Sequence, residues 1–242
     1  MEKHATSAEL KAHAKGQLLG KYSTLVPAVL LVEAVMFTLS GLVSFPVSGT
    51  GFGGLAVQFA VECVLQLFAG IFIMGQTYMY LNVSCGGNIR IQDVFYGFTH
   101  HPDRAILLQL IQLLLTLAVF LPCFLFLGLW MLTDNLYFIL PTALTFCFGL
   151  IAGTVIYLMY SQCFFVSLDF PEFTAVSCLK YSRLIMKGNK ARRFYLDVSF
   201  IPLYILGFLS CGIGLLFVSP YVNATCSNFY LELMKQRSSQ GE

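Results

Sequence analysis

The fourteen Lys and Arg residues of this chain fall in four short intervals, and the long apolar stretches between them carry none. The intervals hold Lys3, Lys11, Lys15 and Lys21; Arg90 and Arg104; six residues from Lys180 to Arg193; and Lys235 with Arg237. Carrying such side chains across a bilayer is costly, so they collect on the cytoplasmic side of membrane spans. The spacing therefore points to a polytopic helical membrane protein whose four basic intervals share one face.

Composition agrees. Hydrophobic residues make up 57% of the chain and charged residues 11%, where an ordinary soluble domain is about a quarter charged. A net charge of +2 makes nucleic acid a poor partner. The basic clusters face anionic lipid headgroups instead, at about 1 kcal/mol per residue near the surface. None of the eight cysteines has the close pairing of a zinc or redox site, so they read as small apolar packing residues, and no metal or cofactor is expected. The first apolar run lacks a small-residue cleavage site, so the first span is expected to act as its own insertion signal.

A helix needs about twenty mostly apolar residues to cross a ~30 Å hydrocarbon core. The sequence offers spans near 25–43, 55–81, 105–132 and 138–167, the last within an uncharged run longer than one crossing needs. The final apolar stretch, broken by small residues at 210–214, reads as two more spans near 194–211 and 213–233. The expectation is a single all-α membrane domain of six helices with both termini in the cytoplasm; five helices is the alternative. Residues 1–23 form a cytoplasmic amphipathic segment, with Thr6 and Glu9 in capping-box spacing. A second amphipathic helix is expected over 169–188, capped by Asp169 and Glu172, stopping at Gly188, with Phe173, Val176, Leu179 and Ile185 against the membrane.

Polar residues inside the spans are the functional candidates. Glu33 and Glu62 fall at similar depth, and an intramembrane carboxyl marks function by default; the other reading is a protonated group bonded to Gln58, Gln66 or Ser40. In the last span Pro220 removes a backbone donor and kinks the helix, and Asn223 and Asn228 follow as groups that line a cavity or bond between helices. Lys187, Lys190, Arg192 and Arg193 read as a basic cluster at the membrane surface, with Asp197 bridged to Arg193. The run His100-His101-Pro102-Asp103 is an interfacial loop, for want of a second ligand cluster. The glycines of 49–54 have no strand before them and so do not make a phosphate loop.

The stretch from Met186 through Lys187-Gly188-Asn189-Lys190 to Arg193-Phe194 resembles the signature of a bacterial integral-membrane family, domain of unknown function nine-seven-five. The run Gly212 to Tyr221, continuing through Ala224-Thr225 to Phe229-Tyr230, is similar to its closing motif, and Leu10-Lys11 through Gly20-Lys21-Tyr22 is similar too. Ile201-Pro202-Leu203 departs from the Gly-Trp-like pair of that pattern. The resemblance implies a multi-pass protein of the bacterial cytoplasmic membrane and no particular activity. The leading expectation is a non-enzymatic accessory or scaffold component with a possible membrane-protein partner. The alternative is a small transporter or lipid-handling protein using the intramembrane carboxylates.

Overall fold

The computed structural model describes residues 5–44, 52–133 and 135–239. All regular structure among them is helical: α1 Ser7–Leu18, α2 Tyr22–Ser44, α3 Phe52–Ser84, α4 Tyr96–Thr99, α5 Pro102–Thr133, α6 Ile139–Tyr160, α7 Cys163–Asp169, α8 Ala175–Ile185, α9 Lys190–Val198, α10 Ile201–Leu209 and α11 Leu215–Ser239, with short 3-10 turns before α4 and α6. Residues 49–51 of the 49–54 glycine run, and Asp134, lie outside the described residues. Four segments are long and apolar enough to cross a membrane: Tyr22–Leu42, Ala56–Ser84, Pro102–Thr133 and Leu136–Asp169. This suggests a membrane location.

The bundle has a bare end and a packed end. The outer parts of α3, α5 and α6 expose Val57, Phe59, Leu125, Leu132, Leu140, Phe148 and Ile151, an apolar surface that a soluble protein would not leave uncovered. At the other end, the later turns of α3, most of α7, and the inward faces of α8, α9 and α11 bury one continuous core that includes Phe200, Phe229 and Tyr230. Burying each of these side chains contributes roughly 1.5–3 kcal/mol. Every described Lys and Arg belongs to the elements of this packed end or the turns beside it.

The capping box at Thr6 and Glu9 forms as the spacing requires: Thr6 N donates to Glu9 Oε2 at 2.7 Å, and Glu9 N donates to Thr6 Oγ1 at 3.3 Å. Helix α1 then lies across α11. Ala5 N donates to Glu232 Oε1 at 2.9 Å, and Asn228 Nδ2 donates to Gln17 Oε1 at 2.8 Å. Ala5 and Gln17 are about 18 Å apart along a helix, whereas their partners on α11 are about 6 Å apart, so the two helices cross steeply. The two described ends of the chain therefore meet on one side of the bundle.

Three expectations need correction. The span near 138–167 is not one helix: the chain breaks at Ser161 and Gln162, and the surplus of the run is α7, which turns into the core. The amphipathic helix over 169–188 is shorter, because Thr174, not Asp169, caps it by accepting from Ser177 N at 3.3 Å. Asp169 instead closes α7 and accepts from Tyr230 Oη at 2.6 Å. Of the residues expected against the membrane, Leu179 and Ile185 are buried in the core and Val176 is exposed.

The fifth span is also not a single helix. It is interrupted at Ser199 and Phe200, and α10 has nine residues, about 13 Å against a ~30 Å core. Arg193, Tyr157 and Cys226 line one cavity and so mark a common level. From that level α6 runs on about 27 Å to Ile139, but α11 runs back only about 16 Å to Leu215. The α10–α11 hairpin thus ends about 10 Å short of the outer end of α6.

Between α3 and α5 the chain doubles back along α3. A Cβ at Gly75 would sit 1.8 Å from Val94 O, and one at Gly97 would sit 2.2 Å from Ile71 O. Only glycine permits this approach of backbone to backbone. It places Arg104, which donates to Ser167 O at 3.5 Å and to Pro171 O, against the loop between α7 and α8.

Candidate functional site

Helix α9 builds the site. Arg193, Leu196 and the following Phe200 recur at helical spacing and all turn inward, with residue exposures of 4%, 1% and 0%. Arg193 is therefore an interior residue, not part of a membrane-surface cluster. Its Nε donates to Asp197 Oδ2 at 3.2 Å, one turn on, and its Nη2 reaches Tyr157 Oη on α6 at 3.4 Å. Its Nη1 is buried and has no hydrogen-bond partner. A guanidinium keeps its charge in proteins and carries donors only, so Nη1 is a charged donor without an oxygen acceptor, with the Cys226 thiol the group beside the guanidinium.

Arg193 lines a cavity of about 340 Å³ enclosed by the inner turns of α3, α5 and α6, by α7, and by α9 and α11. Its walls mix aromatic and apolar groups with Gln76, Thr77, Gln112, Thr116, Ser161 and Asn223 and three tyrosines, and Arg193 is its only charged residue. Two larger grooves on the outer surface, between α5 and α6 and between α3 and α5, are apolar almost throughout and offer a ligand almost no polar group. A recessed cavity with a few convergent polar groups is the better candidate for a binding site.

The hydrogen bonding inside it is uneven. Thr77, Thr116 and Ser161 spend their hydroxyl protons on the carbonyls of Ile73, Gln112 and Leu158 in their own helices, at 2.7, 2.9 and 3.1 Å. Gln112 Nε2 donates to Cys163 Sγ at 2.8 Å, and Asn223 Nδ2 reaches Ser219 Oγ at 3.4 Å. The side chains of Gln76 and Tyr160 make no hydrogen bond. Outside the cavity, α1 is tied to the junction of α9 and α10: Lys11 Nζ donates to Ser199 O at 3.0 Å and lies 4.1 Å from the centroid of the Phe200 ring. Burial there draws the Lys11 ammonium below its ordinary pKa.

The residues singled out from the sequence divide into three groups. Asn223 lies in the cavity, while Asn228 bonds α11 to α1. Pro220 is buried inside α11, which runs on through it. Glu62 accepts from Ser40 Oγ at 3.1 Å, one of the partners its position suggested. Glu33 is exposed on α2 and has no hydrogen bond or ion pair. Ser40 faces Glu62, and Glu33 lies seven residues further along α2, about 10 Å away along the axis, so the two carboxyls do not share a proton. Neither lines the cavity.

In the basic cluster Lys187 is exposed and Lys190 half-buried. Arg192 is drawn inward: its Nη2 contacts both oxygens of Glu232 at 2.8 and 3.0 Å and Ala5 O at 3.0 Å. His100 stacks on Tyr96 with centroids 4.2 Å apart and shares a 2.8 Å contact with Thr99. No group of three or more His, Cys, Asp and Glu suited to a metal occurs among the described residues. Reasoning from sequence missed Tyr157, Tyr160 and Gln112 as site residues. The pair Gln109 and Gln112, in an otherwise apolar helix, was the available signal.

No curated protein and no solved structure matches the chain. One family does, described as a protein of unknown function (DUF975), and the match runs from residue 1 to residue 237. With nearly its whole length covered and its N-terminal, central and closing motifs all inside the match, the chain belongs to the DUF975 family.

Proposed function

We propose that this chain is a non-enzymatic multi-pass protein of the bacterial cytoplasmic membrane that binds a small polar or amphipathic molecule in the Arg193 cavity. The packed basic end and both termini face the cytoplasm, in keeping with the preference of Lys and Arg for that side. Four helices cross the bilayer, and α10 with the first turns of α11 forms a hairpin that enters from the cytoplasmic side and turns back at 210–214.

The observation that carries this reading is the polar cavity with its single, incompletely bonded guanidinium. A buried charge with an unused donor is expensive unless something meets it. The carboxylates Glu33 and Glu62 are outside the cavity, so ligand handling in this reading does not run through them. Native mass spectrometry of the full chain released from mild detergent tests it, with Thr116→Trp as control. Thr116 lines the cavity and is exposed, so indole there fills the mouth without disturbing the core. A stoichiometric small-molecule or lipid adduct on the wild type, lost in the variant, is the expected result. Identical bare masses would refute the reading.

A second reading, an accessory component acting through a protein partner, draws on Glu33. An exposed, unpaired carboxyl partway along an apolar helix is costly against lipid, and a partner helix offering a hydrogen-bond donor would relieve it. A wild-type mass bound only to other protein chains would favour this reading.

A further inference from the structure

Resting on the reading of the cavity as a binding site, we infer that its ligand is an amphiphile whose anionic head, a phosphate or a carboxylate, seats against Arg193 while its apolar part stays in the surrounding bilayer. The charge assignment follows from the lining. Arg193 is the only charged residue there, and its counter-charge, Asp197, approaches from the Nε side and does not line the cavity. The cavity therefore meets the guanidinium on the side of Cys226, where Nη1 is buried without an oxygen acceptor.

Neutral donors reinforce it. Tyr157 Oη accepts from Arg193 and keeps its own proton to give, and Gln76 and Tyr160 have uncommitted side chains. Phosphate and carboxylate oxygens accept from such groups simultaneously, and a charged donor makes these bonds shorter and stronger.

The second element is the way in. Thr116 and Tyr157 line the cavity, yet both are exposed on the outside of the bundle, Tyr157 by 56%. The cavity thus opens sideways. Beside Tyr157 the surface continues into a cleft lined by Phe200, the exposed Tyr204 and Val222, which suits an acyl chain; Asp197 is the one carboxyl there, and it is paired with Arg193. The cavity takes a headgroup and leaves no room for a pair of acyl chains, so head and tail are sorted by the walls.

The test is native mass spectrometry of the full chain in uncharged maltoside micelles with added phosphatidylglycerol or, separately, diacylglycerol. The wild type should retain one phosphatidylglycerol per chain in preference to diacylglycerol. In Arg193→Gln/Asp197→Asn, which removes both charges and strands neither, phosphatidylglycerol should bind about ten- to a hundredfold more weakly. Arg193→Lys should retain part of the preference, and Lys187→Gln all of it; thermal melts confirm that each variant is folded. Inorganic phosphate that binds the wild type but not the double variant would keep the anion assignment and make its source soluble. Diacylglycerol held equally by wild type and double variant would overturn the anionic head and leave the cavity reading standing. A loss of preference in Lys187→Gln matching that of the Arg193 variants would mean surface attraction, and would overturn the inference. Wild-type protein that binds neither lipid, with Thr116→Trp behaving identically, would remove both.

Discussion

Glu232 is the joint that holds the N-terminal helix to the end of α11, and removing it should be costly. Its carboxylate receives Arg192 Nη2 on both oxygens at 2.8 and 3.0 Å, Ala5 N at 2.9 Å and Gln236 Nε2 at 2.8 Å. The side chains of Arg192 and Glu232 are 25% and 14% exposed, so solvent screens the pair only in part. The charge-assisted contact contributes about 2 kcal/mol and the Ala5 bond about 1 kcal/mol, with nothing counted for Gln236. Glu232→Ala should therefore destabilise the protein by about 3 kcal/mol, or about 6–12 °C in melting temperature for a chain of this size. A fluorogenic maleimide follows the melt through the buried thiols of Cys163, Cys178 and Cys226. Arg192→Ala should cost a similar amount, and the double variant about 1.5–2 kcal/mol less than the sum, as groups in contact are not additive. A shift under about 1 °C in Glu232→Ala, or strict additivity in the double variant, would show that the joint is not made.

Other consequences follow from the same geometry. Gly75→Ala would push a methyl group into the Val94 carbonyl, and since backbone must move, the loss should exceed the usual ~1–3 kcal/mol of overpacking; low yield or a melt lowered by more than ten degrees or so would bear this out. Cys85 and Cys211 are exposed and report topology: a membrane-impermeant maleimide should label Cys85 only after the cytoplasmic face is opened, and Cys211 from neither side. Labelling of Cys211 in intact cells would restore a full fifth and sixth crossing. Ser40→Ala should cost about 1 kcal/mol by taking the donor from Glu62, whereas Glu33→Gln should leave the melting temperature of the purified protein unchanged; a strong loss with Glu33→Gln alone would mean that it has an internal partner.

Local signals in the sequence were legible, and those set by packing were not. The capping box at Thr6 and Glu9 needs four residues and forms as expected. The four long apolar helices are written in composition. Composition does not separate apolar surface that meets lipid from apolar surface that meets protein, and so the buried α7 looked like surplus span. Asp169 and Thr174 are both good caps. Tyr230, distant in sequence, decides between them by engaging Asp169. Arg193 stands beside Lys190 and Arg192 in the sequence and so looked like surface, although its spacing to Leu196 and Phe200 places it inside. The depths of Glu33 and Glu62 along their own helices could be estimated, but the register that sets Ser40 opposite Glu62 comes from the packing of α2 on α3.

The most direct test of the account is a density map at side-chain resolution of the full chain in a nanodisc of bacterial lipids. The account predicts Arg193 turned inward and non-protein density larger than a water molecule within about 3 Å of its guanidinium. A cavity holding only water-sized peaks, or an Arg193 side chain turned out among the headgroups, would contradict it.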